Sequence, residues 1–156
     1  MITTKQKKLN SVLLIDACEI DNFLHRKIME NCGAKAISTF ENPIMALEYL
    51  EKTIDIPQLI LLDLNFPIMS GFEFLDEFRK LEISRYLINI FILSATANSE
   101  DIEKAQQKCS GFIEKFLTKE KLITQLNLLD TISINKSDKK INSLQIPFEK
   151  NSSIKK

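Results

Sequence analysis

Leu59-Ile60-Leu61-Leu62-Asp63-Leu64-Asn65-Phe66-Pro67-Ile68-Met69-Ser70-Gly71 is the stretch whose reading decides the fold. Four aliphatics run into a carboxylate, and Pro67 and Gly71 then break the regular structure. A short apolar run bounded by turn residues reads as a strand buried on both faces of a parallel sheet. An Asp closing such a strand lies at the carboxyl edge of the sheet, where open α/β folds keep their ligand sites. Taken alone, Asp63 reads better as an acid that merely starts the next turn. What ends the other strands decides its meaning.

Upstream, Ser11-Val12-Leu13-Leu14-Ile15-Asp16 repeats the pattern and also ends on Asp. A helix follows, with Ile20, Phe23, Leu24 and Ile28 on one face, with Glu19 and Asp21 in its first turn serving the macrodipole, and with Gly33 closing it. The mixed, polar stretch 34–40 suits an edge strand. Asn42-Pro43 caps and starts the next helix, whose inner stripe is Ala46, Leu47 and Leu50.

Downstream, Ser70 and Glu73 have capping-box spacing ahead of Phe74, Leu75, Phe78 and Leu81. Residues 87–93 form a buried strand ending on Ser94. Asn98 and Asp101 open a helix with a thin apolar side, Ile102 and Ala105. Residues 111–115 form a short last strand ending on Lys115, and Thr118 caps a helix carrying Leu122, Ile123, Leu126 and Leu129. Five strand–helix alternations with short loops predict a parallel sheet covered by helices on both sides.

The chain has 156 residues and is 44% hydrophobic, which supports one core. The expected organisation is a basic N-terminal extension over 1–8, a domain over 9–130, and a basic, disordered tail over 131–156 in which Leu144, Ile146 and Phe148 are docking candidates. Residues 9–130 carry 12 Lys and Arg against 19 Asp and Glu, and the two basic ends bring the total to zero. An acidic body argues against nucleic-acid binding. Cys18, Cys32 and Cys109 form no CxxC pair, and with His25 give no zinc spacing. No apolar stretch reaches the roughly 18 residues of a membrane span, and the N-terminus lacks a secretory apolar region. The expectation is a cytoplasmic chain with reduced thiols.

A parallel sheet brings Asp16, Asp63, Ser94 and Lys115 to one edge. Two carboxylates suit Mg²⁺, which takes few protein ligands and keeps positions for a phosphate. A hydroxyl and an ammonium serve the remaining phosphate oxygens, and Asp63 is then the nucleophile that forms an aspartyl phosphate.

On these residues the chain resembles the receiver domains of two-component response regulators over about residues 9–130. The resemblance is carried by Asp16 after Val-Leu-Leu-Ile, by Leu-Leu-Asp-Leu-Asn-Phe-Pro-Ile-Met-Ser-Gly around Asp63, by Ser94-Ala95 and by Lys115. It implies a flavodoxin-like three-layer sandwich with sheet order 2-1-3-4-5. It further implies Asp63 as phosphoacceptor and metal ligand, the Asn65 backbone carbonyl as a ligand, and Asp16 as a largely water-mediated one. Ser94 and Phe112 become switch residues.

The implied function is a single-domain receiver, phosphorylated by a sensor histidine kinase or phosphotransfer protein. It would signal by protein–protein contact through its 98–130 face, with homodimerisation open. It would not be an enzyme beyond self-catalysed phosphoryl transfer and autodephosphorylation. The alternative is a pseudo-receiver that binds its partner regardless of phosphorylation. A phosphatase using Asp-x-Asp is disfavoured because Asn65 stands at the second acid.

Two positions depart from the family. Ala17 replaces a second acid that binds the metal directly, which predicts weakened Mg²⁺ affinity; Glu19 reaching in and Asp16 shifting to direct ligation are the two open compensations. Phe116 replaces the proline after the lysine, which predicts a trans Lys115–Phe116 bond, a reshaped loop and a less certain position for Lys115.

Overall fold

A computed structural model of the chain describes residues 8–96 and 98–130. The chain divides into two compact units, Met1–Leu122 and Ile123–Lys156. The proposed extension (but for Lys8) and the proposed tail, with Leu144, Ile146 and Phe148, lie outside the described residues.

The first unit holds β1 (Ser11–Ile15), α1 (Glu19–Asn31), β2 (Ala36–Phe40), α2 (Pro43–Lys52), β3 (Leu59–Asp63), α3 (Gly71–Phe78), a short 3₁₀ turn at Glu82–Arg85, β4 (Asn89–Ser94), α4 (Ser99–Lys108) and β5 (Gly111–Glu114). A last helix, α5, starts at residue 119 in the first unit; in the second unit, residues 123–130 are helical. All neighbouring strands are parallel, in the order β2-β1-β3-β4-β5. This is the flavodoxin-like order.

Burial along the strands follows that order. β3, in the centre, is buried at all five positions, whereas β2, at the edge, is exposed or half-exposed at every position. A central parallel strand loses both faces to helices, so Leu59, Ile60, Leu61 and Leu62 have no polar alternation to show. Ile60 and Leu62 pack with Leu50, Phe74, Leu75 and Ile92 in the main core.

Local chemistry places the helix starts where the sequence predicts them. The Asn42 side chain accepts from Ile44 N at 2.8 Å, with Pro43 at the first helical position. Ser70 and Glu73 form a complete capping box. Asn98 accepts from Asp101 N at 2.7 Å, and Ala105 is the one buried residue of α4. Thr118 accepts from Lys121 N at 3.1 Å.

Three expectations need correction. β4 starts at Asn89, not Leu87, and Leu87 is 90% exposed. β5 stops at Glu114, with Lys115 in the loop that follows. Most consequentially, α1 is turned over relative to its apolar stripe. Ile20, Phe23 and Leu24 face solvent, and the helix buries Asn22, His25 and Met29 instead. The cause is visible at the ends of β1 and β2. The Asn22 amide donates to the Asp16 carbonyl at 2.9 Å, giving that buried acceptor a partner, and makes a longer second bond at 3.4 Å to the Phe40 carbonyl, which already accepts from Asp16 N. That polar anchor fixes the helix rotation. Among the described residues no helix is long and apolar enough to cross a membrane.

Candidate phosphoryl site

Asp16 follows β1 directly, and its N–H donates to the Phe40 carbonyl at 3.0 Å. Its Oδ1 accepts from Cys18 N at 2.9 Å, so the carboxylate is locked by its own turn. Asp63 is the last residue of β3, and its Oδ1 accepts from Leu64 N at 2.8 Å. Lys115 follows β5 and is tied to β4 by its N–H to the Ser94 carbonyl at 2.9 Å. Topology alone therefore gathers these backbones at one edge.

The side chains meet. Lys115 Nζ lies 2.7 Å from Asp16 Oδ2, 2.8 Å from Asp21 Oδ2 and 3.6 Å from Asp63 Oδ1. The contact with Asp21 is a hydrogen bond, and that with Asp16 is a close ion pair. The Lys115 side chain is only 7% exposed, so three carboxylates determine where it sits. Ser94 is fully buried at the same edge, but its hydroxyl faces the Thr96 hydroxyl at 3.3 Å. Phe112 is half-buried against the core and pairs in register with Ile92.

The expected trans bond before Phe116 is wrong: Lys115–Phe116 is cis. The expectation weighed only the local preference of the peptide. It left out Lys121, whose ammonium donates to the Glu114 and Phe116 carbonyls on either side of the bond at 3.0 Å each. Nor is the position of Lys115 uncertain, because its ammonium is held by carboxylates.

Electrostatics single out Asp63. Burial pushes its carboxyl above the usual range and neighbouring Asp16 adds to the rise, against the pull of Lys115 and of the Leu64 and Asn65 amides. Lys115 goes the other way: burial alone would lower it, yet hydrogen bonding and charge from Asp16 and Asp21, with charge from Asp63, hold it well above its ordinary value. For Asp21 the cost of burial is outweighed by Lys115, and its carboxyl is lowered. His25, buried beneath the site with its ring 6.4 Å from that of Phe116, is lowered by burial.

Sequence reasoning missed Asp21. Glu19, the acid it offered as a compensation, is exposed and outside the Lys115 cluster. The available signal was the spacing of Asn22, His25 and Met29 at i, i+3 and i+7 beside Asp21, with its first two members polar. Read as the buried face, it would have turned Asp21 toward the strand ends.

Three carboxylates on one ammonium leave the pocket negative. That donor chemistry fits a hard cation that takes one or two carboxylates and keeps the rest of its shell for water and phosphate. Among the described residues no group of three His, Cys, Asp or Glu is arranged as a dedicated metal cage.

The sequence model of the response regulator receiver domain matches residues 12–127. A response regulator receiver protein from Dyadobacter fermentans is 30% identical, aligned over 74% of this chain and 93% of its own, with a TM-score of 0.66. A two-component response regulator from Cytophaga hutchinsonii is 26% identical over 80% of this chain and 99% of its own, with a TM-score of 0.70. The sensor histidine kinase CheAY of Helicobacter pylori is 29% identical over 78% of this chain. The match spans only 15% of that relative's length.

Proposed function

Because this chain belongs to the response regulator receiver domain family, we propose that Asp63 is its phosphoacceptor, charged from the phosphohistidine of a sensor kinase or phosphotransfer protein and read out by protein–protein contact. An Asp63 carboxylate oxygen attacks phosphorus, the P–N bond to the donor imidazole breaks, and its electron pair stays on that nitrogen. The observation that supports this best is the ammonium of Lys115, 3.6 Å from Asp63 and already neutralising charge there. Ser94 reaches the phosphoryl oxygens after turning from Thr96, and Phe112 responds behind it.

The residues suited to hold Mg²⁺ are Asp16, Asp63 and the Asn65 carbonyl, with Asp16 taking a more direct part because Ala17 offers no ligand atom. When bound, the ion supplies charge neutralisation for the phosphoryl oxygens. Ala17 is also the observation that favours the second reading, a receiver that binds its partner in either state. In that case wild type and Asp63→Asn bind the partner equally under phosphorylating conditions.

The test of the first reading is one variant with two readouts. With a small acyl phosphate and Mg²⁺, wild type gains the mass of one phosphoryl group and Asp63→Asn gains none; an unmodified wild type at high Mg²⁺ refutes the reading. The second readout follows from the raised carboxyl of Asp63. A group whose folded pKa lies above its unfolded value stabilises the fold in acid, and that stabilisation is lost as pH rises through the folded pKa. Removing the charge therefore raises the melting temperature at pH 7, and the gain disappears below about pH 4.

A further inference from the structure

Asp21 is not a strand-end residue, yet it accepts the hydrogen bond of the Lys115 ammonium at 2.8 Å. An ammonium on a four-carbon stem has three donors and little intrinsic direction. Two of its directions are fixed here from separate elements: Asp16 at the end of β1 and Asp21 in the first turn of α1. The remaining side of the ammonium faces Asp63 across 3.6 Å, short of a close ion pair. A phosphoryl group on Asp63 carries oxygens beyond the carboxylate, into that gap. Position 17, where the family's second acid would stand, is an alanine.

We propose that Asp21 is the positioning residue for Lys115 in phosphoryl transfer. Together with Asp16 it holds the ammonium off the Asp63 nucleophile and directed at the place where the phosphoryl oxygens arrive. The inference rests on Asp63 being the phosphoacceptor. Its competitor is that Asp21 serves only the positive end of α1.

The two differ in kinetics. Removing a negative charge near the site, by itself, speeds attack on an anionic donor. Loss of positioning slows it. In the 156-residue chain with acetyl phosphate and Mg²⁺, Asp21→Asn is expected to lower the maximal phosphorylation rate about tenfold. The half-saturating donor concentration stays the same, and Asp21→Glu recovers part of the rate. Independently of phosphorylation, the Lys115 ammonium protons of wild type exchange slowly enough for nitrogen-15 NMR, and Asp21→Asn loses that signal. An unchanged or faster maximal rate, or an unchanged ammonium signal, overturns the proposal. If wild type takes no phosphoryl group, the phosphoacceptor reading falls, and the ammonium signal alone decides whether Asp21 positions Lys115.

Discussion

Lys115→Met is expected to cost about 3–5 kcal/mol of stability at pH 7 and to abolish phosphorylation of Asp63. The size follows from what the ammonium leaves behind. Asp16 and Asp63 are 3% and 8% exposed, and Asp21 is half-buried. Methionine fills most of the lysine stem's volume, so packing changes little and the loss is electrostatic. Deprived of the cation, the carboxylates must stay charged in a poor solvent or take up protons. Without the pull of Lys115 the folded pKa of Asp63 rises further and that of Asp21 is no longer held down, which makes the variant's stability greatest in acid and lost as pH climbs. In wild type the lowered carboxyl of Asp21 behaves oppositely, contributing above its unfolded pKa and fading as pH falls. The gap between the two proteins therefore narrows from pH 7 to about pH 4. Urea midpoints at the two pH values check this; equal midpoints at pH 7 would mean that the carboxylates do not depend on Lys115.

Gly71→Ala is the second large effect, and it acts on Asp63 through the backbone. A Cβ built on Gly71 falls 2.6 Å from the Asp63 carbonyl oxygen and 3.1 Å from Leu64 Cα. Both obstacles are main chain, and the Gly71 N–H is also bonded to the Leu64 carbonyl at 2.8 Å. No flexible side chain can yield, so either the start of α3 or the end of β3 must move. Overpacking of this kind costs about 1–3 kcal/mol, and the displacement carries the nucleophile with it. The phosphorylation rate should fall along with the melting temperature. Gly33→Ala is the control: nothing lies within 4 Å of its added Cβ, and only its φ of +90° opposes the change. It should lose about 1 kcal/mol while phosphorylating normally. Equal rates for the two variants would separate Gly71 from the site.

The parallel sheet and its order of burial were legible because β1, β3 and β4 are buried on both faces and therefore spelled in aliphatics. The helix starts were equally plain, since Asn42-Pro43, Ser70 with Glu73, and Asn98 with Asp101 are chemical requirements of a helix end. From these the topology placed Asp16, Asp63, Ser94 and Lys115 at one edge, and the comparisons show the family. The rotation of α1 was not legible from hydrophobicity. The helix is oriented by Asn22 satisfying strand-end carbonyls, so its inner face is polar and its apolar residues Ile20, Phe23 and Leu24 are left outside. The same error hid Asp21. The loop at Phe116 escaped for a different reason: its conformation is set together with the lysine contacts of residues 115 and 121, which a preference of the local peptide does not contain.

The central claim is that four residues far apart in sequence serve a single anion. Titration with beryllium fluoride, a phosphoryl mimic, in the presence of Mg²⁺ and followed by NMR, addresses it most directly. The account predicts saturable shifts centred on Asp16, Asp63, Ser94 and Lys115 and lost in Asp63→Asn. Shifts absent at high Mg²⁺, or centred elsewhere on the chain, would contradict it.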